Sequence, residues 1–404
     1  MLNNKEYLEC LFNSNKPLVI YKVKNGFNVY TDLNAKIKLT SKNVKNFFEK
    51  TIYSKNPRNN FFDGYVGFLN YELLCQLINV KIPKQQSNGF HQNIFYKPET
   101  LIKIRKNIQI LSTIKNYKEN NKLTPSRKKF FHEKKFKVNL TLAQYTKLFR
   151  NFSQKIREGK TYQIKICQKY RNHSNIDAVK FFWKLMKANS SPESFMIRDS
   201  NYSIISCSPE TLINKKNNII ITKPIAGTMK KNKKTTVEMA KKFFKGNEKE
   251  SKEHNMIVDM ERNDLSRICN VGSVRIKKIK YVEEYKDLYH YVTEIAGALK
   301  KTTTPFDIIK AMMPGGSVIG CPKISTLNLL NHQETDNRSV YTGSFGYIKS
   351  NGDMRFNIMI RSILNCNNIC EIAVASGVIL GSTPKKEYEE NYIKAKSLLD
   401  IFKS

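Results

Sequence analysis

The sequence predicts an α+β fold built on antiparallel sheets. Short apolar runs rich in β-branched residues outnumber the helical segments between them. Those runs do not alternate regularly with helices, which argues against a doubly wound parallel sheet. No internal repeat is visible, and 404 residues of which 40% are hydrophobic can bury a large core.

In chain order, residues 1–115 form an N-terminal region carrying LVIYKV, FNVYT and IQILSTI, which are strands by period and composition. A helical pattern over 44–53 lies among them, followed by FFDGYVGFLNYELL, an apolar strand interrupted by glycines. Residues 116–137, NYKENNKLTPSRKKFFHEKKFK, are polar, lysine-rich and aperiodic, and mark a linker. Residues 138–404 follow as a second region. Its first element, 140–157, reads as an amphipathic helix in which Leu142, Tyr145, Leu148, Phe149 and Phe152 share a face and Thr141 is the N-cap. TYQIKICQKY, ESFMIRD, YSIISCS and NIIITKPI read as strands, and 235–260 and 306–312 as helices. The chain closes with YTGSFGYI, MRFNIMIRSIL and CEIAVASGVIL as strands, then a helix over 384–402.

A net charge of +36 invites a nucleic-acid reading. Nucleic-acid proteins focus their charge in a stripe with aromatics interleaved for stacking. Here lysine is spread over the whole length beside abundant asparagine and isoleucine, so it reads as filling solvated faces, and nucleic acid is not expected as a partner. An anionic substrate would still benefit from the field. No run of about 18 apolar residues occurs, so no membrane is expected, and the start MLNNKEYLECLFNSNKPL has no secretory pattern. The expected compartment is the cytoplasm, where eight scattered cysteines without a CxxC pair read as free thiols.

Two acidic pairs stand out. Glu250 and Glu253 are spaced so that a helix turns both carboxylates to one side, and Glu387 and Glu390 repeat the spacing with Lys394 one turn further on. Thr383–Pro384 is a helix start, a capping hydroxyl followed by proline. Such carboxylates suit Mg²⁺, a hard cation that keeps several waters, although on spacing alone solvated faces with salt bridges are the commoner explanation. Four glycine-containing turns, PIAGT, PGGSVIGCPK, YTGSFGY and ASGVIL, would let backbone N–H groups approach anionic oxygens. None is a phosphate-binding P-loop or a dinucleotide fingerprint, and each taken singly is an ordinary turn.

In order and spacing, YQIKICQKY, SPETLI, TKPIAGT, EHNMIVDMERNDLSRICNVGSV, YVEEYKDLYHYVTEIAGAL, PGGSVIGCPKIST, YTGSFGYI, IMIRSI and STPKKEYEENYIKAKSLL resemble the chorismate-binding family. That family comprises anthranilate synthase component I, aminodeoxychorismate synthase component I, and the isochorismate and salicylate synthases. The resemblance runs from about residue 140 to the last residues and is weaker before the linker, where FFDGYVGFLNYEL carries it. It implies a large two-sheet antiparallel β-sandwich with helices packed outside and the active site between the sheets. It further implies that Glu253 and Glu390 ligate magnesium, with Glu250 and Glu387 supporting through water. Tyr341, Arg361, Lys394 and the backbone at Gly377 would hold the enolpyruvyl carboxylate of chorismate. Gly227, Thr228 and Ser317 would bind the substrate, His290 would lie beside the reacting ring, and Glu210 would transfer the proton to the departing hydroxyl.

Isochorismate and salicylate synthases place a water-activating lysine where this chain has Gln163, so the resemblance implies ammonia as the nucleophile. Lys165, two residues along the same strand face, is the position a slipped alignment would choose. Between the ammonia-using enzymes, Ala226 is similar to anthranilate synthases, whereas PGGS, SCSPE and the missing LLES-type motif lean towards the aminodeoxychorismate group. Ile319, Cys321, Ala375 and Gly381 depart from the family pattern. No GxCxG glutaminase turn is present, so ammonia is expected from a separate glutamine amidotransferase subunit or from solution.

Overall fold

Most apolar runs become strands covered on both faces, which is why they read as nearly unbroken hydrophobic stretches. In the strand Leu18–Val23, Leu18 and Ile20 point to a helical layer while Val19 and Tyr21 point to a second sheet. The computed structural model describes residues 3–33, 35–53, 62–83, 89–117, 123–126, 128–232, 234–285 and 288–403, without the side chains at 226, 228, 230 and 249.

Among the described residues the strands form two antiparallel sheets. The first runs in the order Gly320–Cys321, Gln163–Asn175, Ile369–Val378, Ser362–Cys366, Tyr202–Ser208, Glu193–Arg198, Leu18–Val23, Gly26–Thr31, Thr100–Ile104, Ile108–Ser112. The second runs Ile225–Lys230, Leu288–Ala298, Ile219–Lys223, Thr211–Lys216, Met354–Asn357, Ser344–Lys349, Gly64–Leu69, Ile94–Lys97, Ala35–Lys38. Both sheets draw strands from either side of the 116–137 segment, and the first sheet reaches into that segment through the short strands Phe131–His132 and Lys137–Val138. The sheets stack face to face. Phe195 of the first lies flat on Phe345 of the second, ring centroids 3.7 Å apart, within a core that also holds Tyr21, Tyr30, Val66 and Phe68.

Helices cover the outer faces. Asn4–Asn13, Ala178–Ala188 and Pro384–Asp400 pack on the first sheet through Tyr7, Leu11, Phe182, Leu185 and Leu398. Glu248–Ile268 and Pro305–Met312 cover the second through Val258, Leu265, Ile308 and Ile309. The helix Leu142–Arg157 begins with a capping box between Thr141 and Gln144 and buries Tyr145, Phe149 and Phe152, but Leu142 is exposed.

Three local expectations are corrected. NYELL is not strand: Tyr71–Leu77 is a helix that starts immediately after the strand Gly64–Leu69. The long helix over 235–260 is two helices, Val237–Gly246 and Glu248–Ile268, broken at Asn247, whose side chain accepts from the Glu250 N–H. Thr383 precedes Pro384 as expected, but its hydroxyl makes no capping bond. All eight cysteines are free thiols.

Candidate active site

The two acidic pairs occupy the first two turns of two helices. Glu250 and Glu253 open Glu248–Ile268, and Glu387 and Glu390 open Pro384–Asp400. Carboxylates in the first turn of a helix are stabilised by its exposed N–H groups and macrodipole. The helix starts converge on the paired strands Gln163–Asn175 and Ile369–Val378 of the first sheet, where Lys165 lies opposite Gly377. A Cβ at Gly377 would stand 2.8 Å from both Lys165 Nζ and Gln163 Nε2, so glycine leaves these two side chains room to arch over the strand.

The carboxylates feel one another. Burial first, then the charges of Glu253 and Glu390, raise the Glu250 carboxyl above its ordinary value. Glu253 is pushed up by burial, but the Lys165 ammonium, with Nζ 2.6 Å from Glu253 Oε1, outweighs that and brings it to about 2. Glu390 is likewise pushed up by burial and drawn net downward by Lys394, 2.7 Å away. Lys394 Nζ also donates to the Ala375 carbonyl oxygen at 3.0 Å. Glu387 is buried.

Four carboxylate groups are a suitable donor set for Mg²⁺, and the charges of Glu253 and Glu390 contribute, after burial, to the raised Glu250 carboxyl. Among the described residues, however, no three acid, histidine or cysteine side chains converge on one point, and two lysines pair with Glu253 and Glu390. The residues fit magnesium by chemistry and neighbourhood rather than as a closed cage.

A second group lies next to the first. Glu210, at the end of the strand Tyr202–Ser208, is buried and accepts a 2.7 Å hydrogen bond from the Ser317 hydroxyl. Its carboxyl is raised to about 7. Burial is the largest cause, Lys165 and Arg361 pull the value down, and the buried Glu261 carboxyl, itself raised to about 8, has Glu210 among the charges acting on it. Arg361 has φ 51°, in the left-handed region, and its Nη1 is sealed from solvent with no hydrogen-bond partner. Burial holds its guanidinium below its ordinary value. His290 is buried, pairs in register with Thr228, and is pushed down to about 3 by burial and then by Arg361, so its imidazole is neutral. Gly227 has φ 87°, and a Cβ there would come within 3.2 Å of Glu250 Oε2, placing this turn directly against the acidic pair. Tyr341 packs with Cys167, Ala373 and Ala375 as an apolar wall. The Thr228 side chain lies outside the described residues. The remaining sequence-derived candidates are thus brought into one region where the two sheets meet two helix starts.

Sequence reasoning missed three supports. Lys165 stood out only as a position of alignment ambiguity, not as the ion-pair partner of Glu253. Arg338, fully buried and paired with Glu334, donates to the Lys165 carbonyl oxygen at 2.7 Å, and nothing in its surroundings in sequence marks it. His254, buried with Nε2 2.6 Å from Thr293 Oγ1, adjoins Glu253 in the EHNMIVD motif, a signal that was available.

Residues 9–400 match the family described as chorismate binding enzyme. The chain belongs to that family. It is 32% identical over 292 residues to anthranilate synthase component 1 of Acetivibrio thermocellus, covering 72% of this chain and 59% of that protein. It is 33% identical over 262 residues to aminodeoxychorismate synthase component 1 of Bacillus subtilis (strain 168), covering 64% of this chain and 56% of that protein. These matches span less than two-thirds of either relative. The crystal structure of anthranilate synthase component I from Streptococcus pneumoniae TIGR4 has the same fold, with a TM-score of 0.76 at 25% identity, covering 96% of this chain and 91% of that one.

Proposed function

We propose that the chain is a component I enzyme that adds ammonia to chorismate to form 4-amino-4-deoxychorismate, the precursor of 4-aminobenzoate. The observation that carries the choice of ammonia over water is at the strand Gln163–Asn175: glutamine stands where a water-activating lysine is required, and the Lys165 ammonium is tied to Glu253. PGGS and SCSPE favour this product over anthranilate, while Ala226 supports anthranilate synthase as the second reading.

In this reading Arg361 offers its unpartnered Nη1 to the enolpyruvyl carboxylate, with Tyr341, Lys394 and the Gly377 backbone completing the grip. Ser317 orients Glu210, and neutral His290 flanks the ring without adding charge. Glu210, partly protonated near pH 7, passes its proton to the C4 hydroxyl, which departs as water. The incoming ammonia forms the new C–N bond and returns a proton to the carboxylate. Glu253 and Glu390, supported by Glu250 and Glu387, would hold magnesium, which when bound neutralises the ring carboxylate and acts as a Lewis acid. Ammonia would come from a separate glutamine amidotransferase subunit.

The deciding experiment incubates the protein with chorismate, Mg²⁺ and ammonium, with and without aminodeoxychorismate lyase. 4-Aminobenzoate that appears only with lyase supports the proposal. Anthranilate fluorescence without lyase establishes the second reading, and isochorismate overturns the argument from Gln163.

A further inference from the structure

Lys165 is held at both its backbone and its side chain. Its N–H donates to the Ile319 carbonyl oxygen at 3.0 Å, and its own carbonyl accepts from the buried Arg338 at 2.7 Å. Its side chain passes over Gly377 and ends 2.6 Å from Glu253 Oε1, nearly enclosed. The charges of Glu390 and Glu387 act on the same ammonium group, as does Glu253, and Lys165 in turn acts on Glu210. One cation therefore already serves the carboxylates of both helices.

An ammonium group and a divalent ion cannot both hold Glu253 at full strength. They are like charges drawn to the same oxygens, and inside the protein their repulsion is weakly screened. We propose that Lys165 is a built-in counter-ion of the glutamate cluster, which keeps the helix starts together without metal and competes with magnesium for Glu253. Binding of the ion then displaces an ammonium group rather than filling a vacant cage, and Lys165 sets the magnesium affinity. This inference rests on the magnesium reading given above.

The test is calorimetric titration of EDTA-stripped protein with MgCl₂, for wild type, Lys165→Met, Lys165→Gln and Lys165→Arg, with thermal unfolding in EDTA and in Mg²⁺. Loss of the charge is expected to tighten magnesium binding at least about tenfold in the methionine and glutamine variants, while arginine stays within about threefold of wild type. The methionine variant should also melt lower than wild type in EDTA and gain more from Mg²⁺. Equal or weaker binding by the charge-removed variants overturns the proposal. If methionine does not fold, glutamine decides by the same criteria. If wild type and every variant neither bind Mg²⁺ nor are stabilised by it, the magnesium reading itself fails and takes the inference with it, a result distinct from bound ion at unchanged affinity.

Discussion

Replacing Arg361 with methionine should separate binding from stability. The guanidinium has a sealed Nη1 without a partner, so in the free enzyme it is an incompletely compensated cation. Burial lowers its affinity for the proton, the direction expected of a charge held at a loss. Methionine keeps an unbranched apolar stem in place of the aliphatic part of the arginine and removes the charged end. The Arg361 carbonyl oxygen still accepts from the Cys207 N–H at 3.1 Å, and the left-handed backbone is the same burden for either residue. Free-enzyme melting should therefore hold or rise slightly. A bidentate, charge-assisted hold on a carboxylate comprises two bonds of about 1.5–3 kcal/mol each. Losing both would lower kcat/KM for chorismate by about 10²- to 10⁴-fold. Steady-state kinetics and thermal unfolding of the same preparation test this. A melting temperature lowered by many degrees with kcat/KM intact would make Arg361 a structural residue and refute the reasoning.

Glu390→Ala should reduce turnover at least about 100-fold with circular dichroism unchanged, and full turnover would remove the metal assignment. Glu250→Gln, one shell further out, should weaken Mg²⁺ binding by about 10–100-fold, measured by titration. Activity that needs protonated Glu210 should fall as pH rises through about 7. Ser317→Ala removes a hydrogen bond that lowers this value, so the alkaline limb of the pH–rate profile should move to higher pH. Because the folded value lies above the ordinary 4.5, the contribution of Glu210 to stability is complete below that pH and is lost as pH rises towards 7, which unfolding midpoints across the range can follow. Gly227→Ala combines φ 87° with a Cβ 2.9 Å from the Phe244 ring and should cost about 1–3 kcal/mol of stability, more than Gly159→Ala, where φ is 71° but the space is open.

Features with strong local periodicity were legible. The helix at 142–157, its Thr141 cap and the α+β class follow from nearest neighbours in the chain. What depends on tertiary contact was not. NYELL has the apolar content of either a strand or a buried helix, and only its packing beside Gly64–Leu69 decides between them. The break at Asn247, by contrast, was announced locally: Gly246 ends one helix and Asn247 caps the next, and the continuous helical reading passed over that pair. At the site, the acidic spacing was compatible with plain solvated helices, and the ordered set of motifs made the difference. The Lys165–Glu253 contact joins residues 88 apart, so no local pattern could reveal it.

The charge balance gives an independent reason to expect a divalent cation here. In a chain of net charge +36, lysine abounds, yet four carboxylates gather at two helix starts with Lys165 and Lys394 as their paired cations. Two ammonium groups against four carboxylates leave the balance on the acidic side, and the Glu250 carboxyl is raised by burial and then by the charges of Glu253 and Glu390. The Glu210 charge acts on Arg361, and in the proposed reading this arginine would draw one carboxylate of chorismate without relieving the other. A dicarboxylic substrate approaching this wall would be attracted at one end and repelled at the other. Further lysines would correct the sign but would fill the space that the ring must occupy. A small divalent ion corrects it within a few ångströms and leaves coordination positions for the substrate. On the same balance, Lys165 would keep the cluster from being wholly uncompensated in the absence of the ion, at the expense of affinity for the metal.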